Sequence, residues 1–265
     1  MTLPWFSPAS DPGPSFSDLL RATGSPAPVT NEAQPLAQIT HGTTIVAIRY
    51  AEGVVMAGDR RATEGYSIAH RAIEKVFPAD RYSGVSIAGA AGPAMEMVRL
   101  FQTELEHYEK VEGSNLSLDG KANKLSGMIR SNLPAAMQGL AVVPIFAGYD
   151  TRRRLGRIYK YDVTGGKYEE ADFHATGSGG RDARTAIKLG FRFDMDEAEA
   201  VKLAIEGLYE AADEDSATGG PDIVRGIYPT VATITARGFE RIADTEVAAR
   251  FTALIERKST GGHQP

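Results

Sequence analysis

The chain has 265 residues, a hydrophobic fraction of 42%, a formal net charge of −5 at pH 7 and no cysteine. This length and apolar content suffice for one large domain with its own core. The negative charge argues against a nucleic-acid binder, and the lack of cysteine excludes disulfides, a thiol nucleophile and a cysteine-ligated metal. We see neither an apolar run near the ~20 residues of a membrane span nor a signal-peptide pattern, so we expect a cytoplasmic protein without membrane contact.

The first 42 residues differ in composition from the rest of the chain. They contain seven of its 14 prolines, and such a segment cannot form a packed core alone. We therefore predict that 1–42 is disordered, either as a plain tail or as a propeptide that is removed.

From Thr43 onward the sequence alternates between runs of strands and runs of helices. Period-2 patterns and turn signals predict strands at 44–50, 54–57, 66–69, 85–88, 141–148, 156–162, 168–175, 222–228 and 230–236. Period-3.6 patterns and capping residues predict helices that begin near 94, 118, 178, 196 and 245.

Segregated runs of this kind favour mainly antiparallel sheets with helices packed outside them. We predict an α+β fold, a four-layer α/β/β/α sandwich of two mainly antiparallel sheets. One domain should span 43–258, followed by a flexible tail at 259–265.

The boundary at Gly42-Thr43 has two interpretations. The first is a linker glycine followed by a strand that starts with threonines, which favour strands. The second is a processing site. Cleavage after Gly42 would leave Thr43 with a hydroxyl nucleophile and a free α-amine as its own base.

Three further features bear on that choice. Asp59 follows a strand directly, as a turn residue or as a partner of a catalytic group. Lys75 is a single lysine beside an apolar residue, and it can be interpreted either as a surface charge or as a catalytic cation. Gly89 lies in a run of small residues between a strand and a helix, as a tight turn or as an oxyanion-hole N–H.

Together these features resemble the catalytic β subunits of the proteasome core particle, most closely those of actinobacteria. The motifs that carry the resemblance are Thr43-Thr-Ile-Val-Ala, Gly58-Asp-Arg-Arg-Ala-Thr63, Lys75, Gly89, Gly177-Ser-Gly179 and Asp213-Glu-Asp-Ser-Ala-Thr-Gly-Gly-Pro-Asp222. The family resemblance implies the N-terminal-nucleophile hydrolase fold and a threonine endopeptidase that needs no cofactor or metal. It also favours removal of 1–42 as a propeptide.

The resemblance implies roles for the nucleophile and the groups around it. Thr43 would attack the scissile carbonyl, with its freed α-amine as base. Lys75 would either lower the pKa of the hydroxyl electrostatically or take the proton itself, and Asp59 would hold Lys75 charged and oriented. The Gly89 N–H would form the oxyanion hole.

The remaining implied roles concern the α-amine, the hydrolytic water and the substrate. Ser178, Asp213 and Ser216 would arrange the amine and the water. The residues expected at the substrate are Ala62, Thr63, Ile73, Ile87, Ala91 and Met95. The apolar members of this set suggest a preference for apolar side chains, while ordinary core packing is the alternative for them.

The resemblance also implies the partners. They are other β subunits in a seven-membered ring, rings of α subunits outside it, a ring-shaped ATPase unfoldase reached through the α ring, and unfolded, pupylated protein substrates. Three alternatives stay open: a non-catalytic assembly-type β subunit, a different N-terminal-nucleophile amidohydrolase, and the shorter two-ring bacterial relative of the proteasome.

Overall fold

A computed structural model describes residues 42–261, which all lie within one compact unit. The predicted disordered segment 1–42 lies outside the described residues except for Gly42. The last helix continues to Gly261, three residues beyond the predicted end of the domain at 258.

Two five-stranded sheets and one small hairpin make up the strands. The first sheet has the order β10-β1-β2-β11-β12 and the second the order β5-β6-β7-β8-β9, while β3 pairs only with β4. All pairings are antiparallel. The strands are β1 (Thr44–Tyr50), β2 (Gly53–Gly58), β3 (Ala62–Glu64), β4 (Ser67–His70), β5 (Val76–Asp80), β6 (Ser83–Gly89), β7 (Val142–Asp150), β8 (Leu155–Tyr161), β9 (Lys167–Glu170), β10 (Phe173–Gly177), β11 (Thr230–Thr235) and β12 (Gly238–Arg241).

The helices fall into three groups in chain order, separated by strands. They are α1 (Ala91–Glu112), α2 (Leu118–Ser131), α3 (Leu133–Ala136), α4 (Gly180–Gly190), α5 (Glu197–Glu214) and α6 (Asp244–Gly261). Ser117 caps α2 through its hydroxyl, and Asp196 with Glu199 forms the predicted capping box of α5. Pro134 lies in the first turn of α3, where its missing N–H costs nothing.

Three clusters of buried apolar residues define the layers. One joins the first sheet to α4, α5 and α6, a second joins the second sheet to α1 and α2, and a third lies between the two sheets. Alternation along β1 explains this arrangement, because Ile45 and Ala47 enter the cluster between the sheets while Val46 and Ile48 face the helices. The predicted four-layer α+β sandwich is confirmed.

Two of the predicted strands are wrong in detail. The run 168–175 is two strands in different sheets, β9 and β10, separated by a break at 171–172. The run 222–228 is a turn with a single β-bridge between Asp222 and Ile227. The Arg225 amide donates a hydrogen bond to the Asp222 carboxylate and stabilises this turn. Among the described residues, no helix is long and apolar enough to cross a membrane.

Candidate active site

The first sheet brings three chain segments to one point. Thr43 immediately precedes β1, which pairs with β2 and β10 so that Ile45 lies opposite Gly58 and Thr44 opposite Gly177. Asp59 is therefore placed beside Thr44 by the end of β2. The residue at 75 arrives from the second sheet, at the start of β5.

The structure contains the continuous Gly42–Thr43 peptide, and the site is built around it. The Thr43 hydroxyl donates to the carbonyl oxygen of Gly42 over 2.6 Å. The Lys75 ammonium donates to the same oxygen over 3.3 Å. On the other side, the Gly42 N–H donates to Thr63 Oγ1 over 2.9 Å. Three residues with expected roles therefore contact Gly42: the expected nucleophile Thr43, the expected cation Lys75 and the expected substrate-contact residue Thr63.

Lys75 is buried and its three ammonium hydrogens have three acceptors. Besides Gly42, these are Asp59 Oδ1 and the Arg61 carbonyl, each at 2.6 Å. Burial lowers the pKa of Lys75, and the attraction of Asp59 offsets this only in part. The acceptors thus hold the lysine in place, and its lowered pKa means that the ammonium group loses a proton more readily than a surface lysine does.

Asp59 is completely buried, and its carboxylate accepts three backbone hydrogen bonds besides the lysine. Oδ1 accepts from the Thr44 amide at 2.7 Å, and Oδ2 accepts from the amides of Arg61 and Gly219 at 2.9 Å. These donors satisfy the buried carboxylate and fix its position. The structure brings Thr43, Asp59 and Lys75 together as the sequence predicts.

Ser178 lies against the main chain of Thr43. Its amide donates to the Thr43 carbonyl at 2.8 Å, and the Thr43 nitrogen donates to Ser178 Oγ at 3.3 Å. The close approach depends on Gly177, whose φ is 103° and where a Cβ would lie 1.9 Å from the Thr43 oxygen. The nitrogen that cleavage would free therefore has a hydroxyl next to it.

Two of the predicted residues in the 213–222 motif differ from those the structure brings to the site. Asp213 is exposed in the last turn of α5, and Ser216 is exposed and gives its carbonyl to the Arg61 guanidinium. Asp215 and Thr218 occupy the site instead, with the Thr218 hydroxyl donating to Asp215 Oδ2 at 2.6 Å. The helix ends at Glu214, so only residues after it turn inward.

The Asp215 carboxylate interacts with the Ser178 side chain. Partial burial would raise its pKa, but hydrogen bonds from Ser178, Thr218 and the Ala217 amide lower the pKa of Asp215 below its usual value. Asp215 is thus ionised over the whole neutral range. It is suited to hold a positive amine beside Ser178.

Gly89 ends β6 with a φ of 107°, and a Cβ there would lie 2.1 Å from the Ala141 carbonyl oxygen. Only glycine fits this backbone. Among the expected pocket residues, Ile87 is 5% exposed and packs in the cluster between the second sheet and its helices. The other apolar residues expected in the pocket are half-buried; they are Ala62, Ile73, Ala91 and Met95.

The described residues hold no group of three or more histidine, cysteine or acidic side chains that could bind a metal ion. The arrangement instead offers a hydroxyl nucleophile, a fixed cation and a carboxylate next to a backbone nitrogen. A two-sheet sandwich with a threonine at the start of its first strand and a buried lysine–aspartate pair beside it defines an N-terminal-nucleophile hydrolase fold.

Comparison with known proteins specifies the family. The model of the family described as "Proteasome subunit" matches residues 39–225, and the chain belongs to the proteasome subunit family. The chain is 61% identical over 262 residues to "Proteasome subunit beta" of Acidimicrobium ferrooxidans, covering 97% of this chain and 96% of the relative. It is 63% identical over 222 residues to the protein of that name in Acidothermus cellulolyticus (82% and 77% covered), and 51% identical over 249 residues to that of Frankia casuarinae (93% and 91%). The resemblance to actinobacterial β subunits is confirmed.

Proposed function

We propose that this chain is an active, self-processed threonine endopeptidase within a proteasome core particle. The observation that carries the proposal is the shared oxygen of Gly42, which accepts from both the Thr43 hydroxyl and the Lys75 ammonium. A hydroxyl and a cation at the carbonyl of the bond to be cut are the groups that an N-to-O acyl shift requires. A surface lysine and a linker glycine would not be buried together in this way.

Self-cleavage would begin with attack of Thr43 Oγ1 on the Gly42 carbonyl carbon. The hydroxyl proton passes to a water or to a neighbouring base, and Lys75 stabilises the negative charge that forms on the carbonyl oxygen. The C–N bond to Thr43 then breaks and the nitrogen takes up a proton. The resulting ester is hydrolysed by water, which leaves a Gly42 carboxylate and a free Thr43 hydroxyl and α-amine.

Peptide hydrolysis would use the same groups in a new order. The α-amine, whose pKa in an ordinary peptide is roughly 7.7–8.0, takes the proton of Oγ1 as the hydroxyl attacks the substrate carbonyl. Collapse of the intermediate protonates and expels the leaving amine and leaves an acyl ester on Thr43. Water then hydrolyses this ester. The Gly89 N–H is assigned to the oxyanion, and Thr63 to the substrate main chain.

The side chains around the amine supply orientation and charge. Ser178 and Asp215 would hold the amine near Oγ1, with Asp215 in the role that was expected of Asp213. The half-buried residues Ala62, Ile73, Ala91 and Met95, with Ile87 behind them, form the candidate pocket for the side chain before the scissile bond. Their apolar character favours apolar substrates at that position.

The partners follow from the family. A proteasome β subunit assembles into a core particle with α subunits. We propose a seven-membered β ring between α rings in the cytoplasm, with unfolded, pupylated proteins delivered by an ATPase ring. The segment 1–42 would be the propeptide.

The competing functions fit the observations less well. A non-catalytic β subunit has no need for the buried Thr43, Asp59 and Lys75 contacts. A small-molecule amidohydrolase or the shorter two-ring relative is disfavoured by proteasome relatives that match over 97% of the chain.

The test is mass spectrometry of particles that form on co-expression with an α subunit. The wild-type chain should begin at Thr43 and cleave peptides. Thr43→Ala should stay uncut and inactive, and Thr43→Ser should keep some of both activities because its hydroxyl remains. Normal cleavage of Thr43→Ala would assign the cut to an outside protease. A wild-type particle that is processed but inactive would favour the non-catalytic role.

A further inference from the structure

Thr44 follows the nucleophile directly, and its side chain makes no contribution to the mechanism above. It is completely buried. Its amide donates to the Asp59 carboxylate, and its hydroxyl makes a separate set of contacts. That hydroxyl lies 2.6 Å from the Thr218 hydroxyl and accepts from the Gly179 amide at 3.0 Å.

The Asp215 carboxylate at one end of this group determines the direction of each hydrogen bond in it. Asp215 is an ionised carboxylate that can only accept, so the single Thr218 proton goes to it. Thr218 must then accept from Thr44, because its own proton is already used. The order runs from the Gly179 N–H to Thr44, from Thr44 to Thr218, and from Thr218 to Asp215.

The group reaches the Thr43 nitrogen through Ser178. The Ser178 hydroxyl interacts with Asp215 and accepts from that nitrogen at 3.3 Å, and Ser178 is the residue next to Gly179. Thr44 thus connects the 178–179 turn to the 215–218 turn. These are the two segments that supply the candidate contacts of the α-amine.

The packing around the two hydroxyls is tight. A Cβ at Gly179 would lie 2.8 Å from Thr44 Oγ1 and 2.7 Å from Thr218 Oγ1, so position 179 has no room for a side chain. The two hydroxyl oxygens are 2.6 Å apart, whereas a carbon and an oxygen need roughly 3.5 Å between them. The two turns can therefore approach this closely because hydroxyls, not methyl groups, face each other there.

We propose that Thr44 is a positioning residue for hydrolysis, whose hydroxyl holds Thr218 and Asp215 in register with Ser178 around the α-amine of Thr43. This inference rests on the proposed function. It assigns to the second threonine a chemical role distinct from starting the strand.

The test compares Thr44→Val with Thr44→Ser in processed particles. Valine keeps the shape but puts a methyl group 2.6 Å from Thr218 Oγ1, so the two turns must separate by roughly 1 Å. A displacement of that size lowers kcat by roughly 10- to 100-fold, with KM changed less than threefold. Serine keeps the hydroxyl and should retain kcat within about threefold.

Two further readouts separate positioning from stability. Thr44→Val separates the turn that carries Asp215 from the turn that carries Ser178, so Asp215 loses its contact with the Ser178 hydroxyl. The acid limb of kcat should therefore move to higher pH, while in Thr44→Ser it should not. In a Thr218→Val background, Thr44→Val should lower kcat by less than threefold more, because the hydroxyl acts through Thr218. Thr230→Val is the control, since this buried hydroxyl makes no hydrogen bond within the described part of the chain and its loss should leave kcat unchanged.

Several outcomes would overturn the proposal. They are full kcat in Thr44→Val, equal losses in Thr44→Val and Thr44→Ser, or additive losses in the double variant. If Thr44→Val does not assemble, Thr44→Ala takes its place, and assembly of Thr44→Ser alone would make the role structural. An inactive wild-type particle would instead refute the proposed function.

Discussion

Asp213 and Asp215 lie two residues apart in very different surroundings. Asp213 is exposed on α5, whereas Asp215 accepts from Thr218 and Ala217 and interacts with Ser178. We expect Asp215→Asn to lower kcat by roughly 100-fold, because the charge that holds the amine is lost. Asp213→Asn, the matched control, should stay within twofold of wild type. Steady-state peptide hydrolysis by assembled particles measures both, and equal effects would contradict the assignment.

Gly42 is confined by space. A Cβ there would lie 2.3 Å from the Ala217 carbonyl oxygen and 2.5 Å from the Ala217 Cβ. Gly42→Ala should therefore displace the scissile peptide and slow self-cleavage by at least tenfold, as followed by mass spectrometry of the precursor over time.

The control for Gly42→Ala is the same enzyme expressed directly from Thr43, which lacks the altered residue and should show wild-type activity. An unchanged cleavage rate in Gly42→Ala would mean that the turn carrying Ala217 moves freely.

The resemblance to proteasome β subunits predicted Thr43, Asp59 and Lys75 as site residues, and the structure brings these three together at the Gly42–Thr43 peptide. In the 213–222 motif, the predicted residues Asp213 and Ser216 each lie two positions before the residues that the structure brings to the site, Asp215 and Thr218. That motif offers two aspartates and two hydroxyls within six positions, and only the end of α5 at Glu214 decides which of them turn inward. Thr44 was missed as well, because a strand-forming threonine carries no signal that separates it from its neighbours.

At the scale of elements, β10 connects the site to the second sheet. Its His174 is 12% exposed and lies 3.9 Å from Glu170. Burial is the main cause that lowers the pKa of His174 to about 4, with smaller contributions from Lys160 and Arg184 and against the opposing effect of Glu170 and Asp172. This ring is therefore neutral in the folded protein at pH 7.

The low pKa of His174 predicts a loss of stability in acid. The unfolded chain takes up the proton near pH 6.5 and the folded one only near pH 4, so this contribution is complete above pH 6.5 and falls as the pH drops towards 4. The loss between pH 7 and 4.5 is roughly 2 kcal/mol. Urea unfolding should show that His174→Gln removes this part of the pH dependence, whereas the exposed His107→Gln does not. The same acid loss in His174→Gln would exclude the histidine as its cause.

The same region shows why sheet membership could not be predicted. The run 168–175 has one continuous strand pattern, but the Arg49 amide of β1 donates to the Asp172 carbonyl, at the point where the chain changes sheets. The buried Arg157 of β8, which pairs with Asp119, Asp150 and Glu169, was likewise invisible. Both depend on contacts between elements distant in sequence, whereas the helices follow from local caps and period.

At the scale of the whole molecule, apolar side chains remain on the surface of the single chain. Leu189 at the end of α4 is 85% exposed and Phe193, just beyond it, is 68% exposed. Surface residues of this kind are buried in interfaces when a subunit belongs to a larger particle. We therefore expect this end of α4 to contact another subunit in the assembled particle.

Leu189→Asp should weaken assembly with the α subunit by at least tenfold in concentration, because it places a charge where apolar surface is buried. Lys188→Asp is the control. It changes the neighbouring exposed residue and carries the larger change in charge, so a purely electrostatic effect would be greater there. Light scattering on a dilution series of purified particles measures both, and circular dichroism of the unassembled subunits checks that the fold is kept. Assembly of Leu189→Asp at the wild-type concentration would place the interface elsewhere on the molecule.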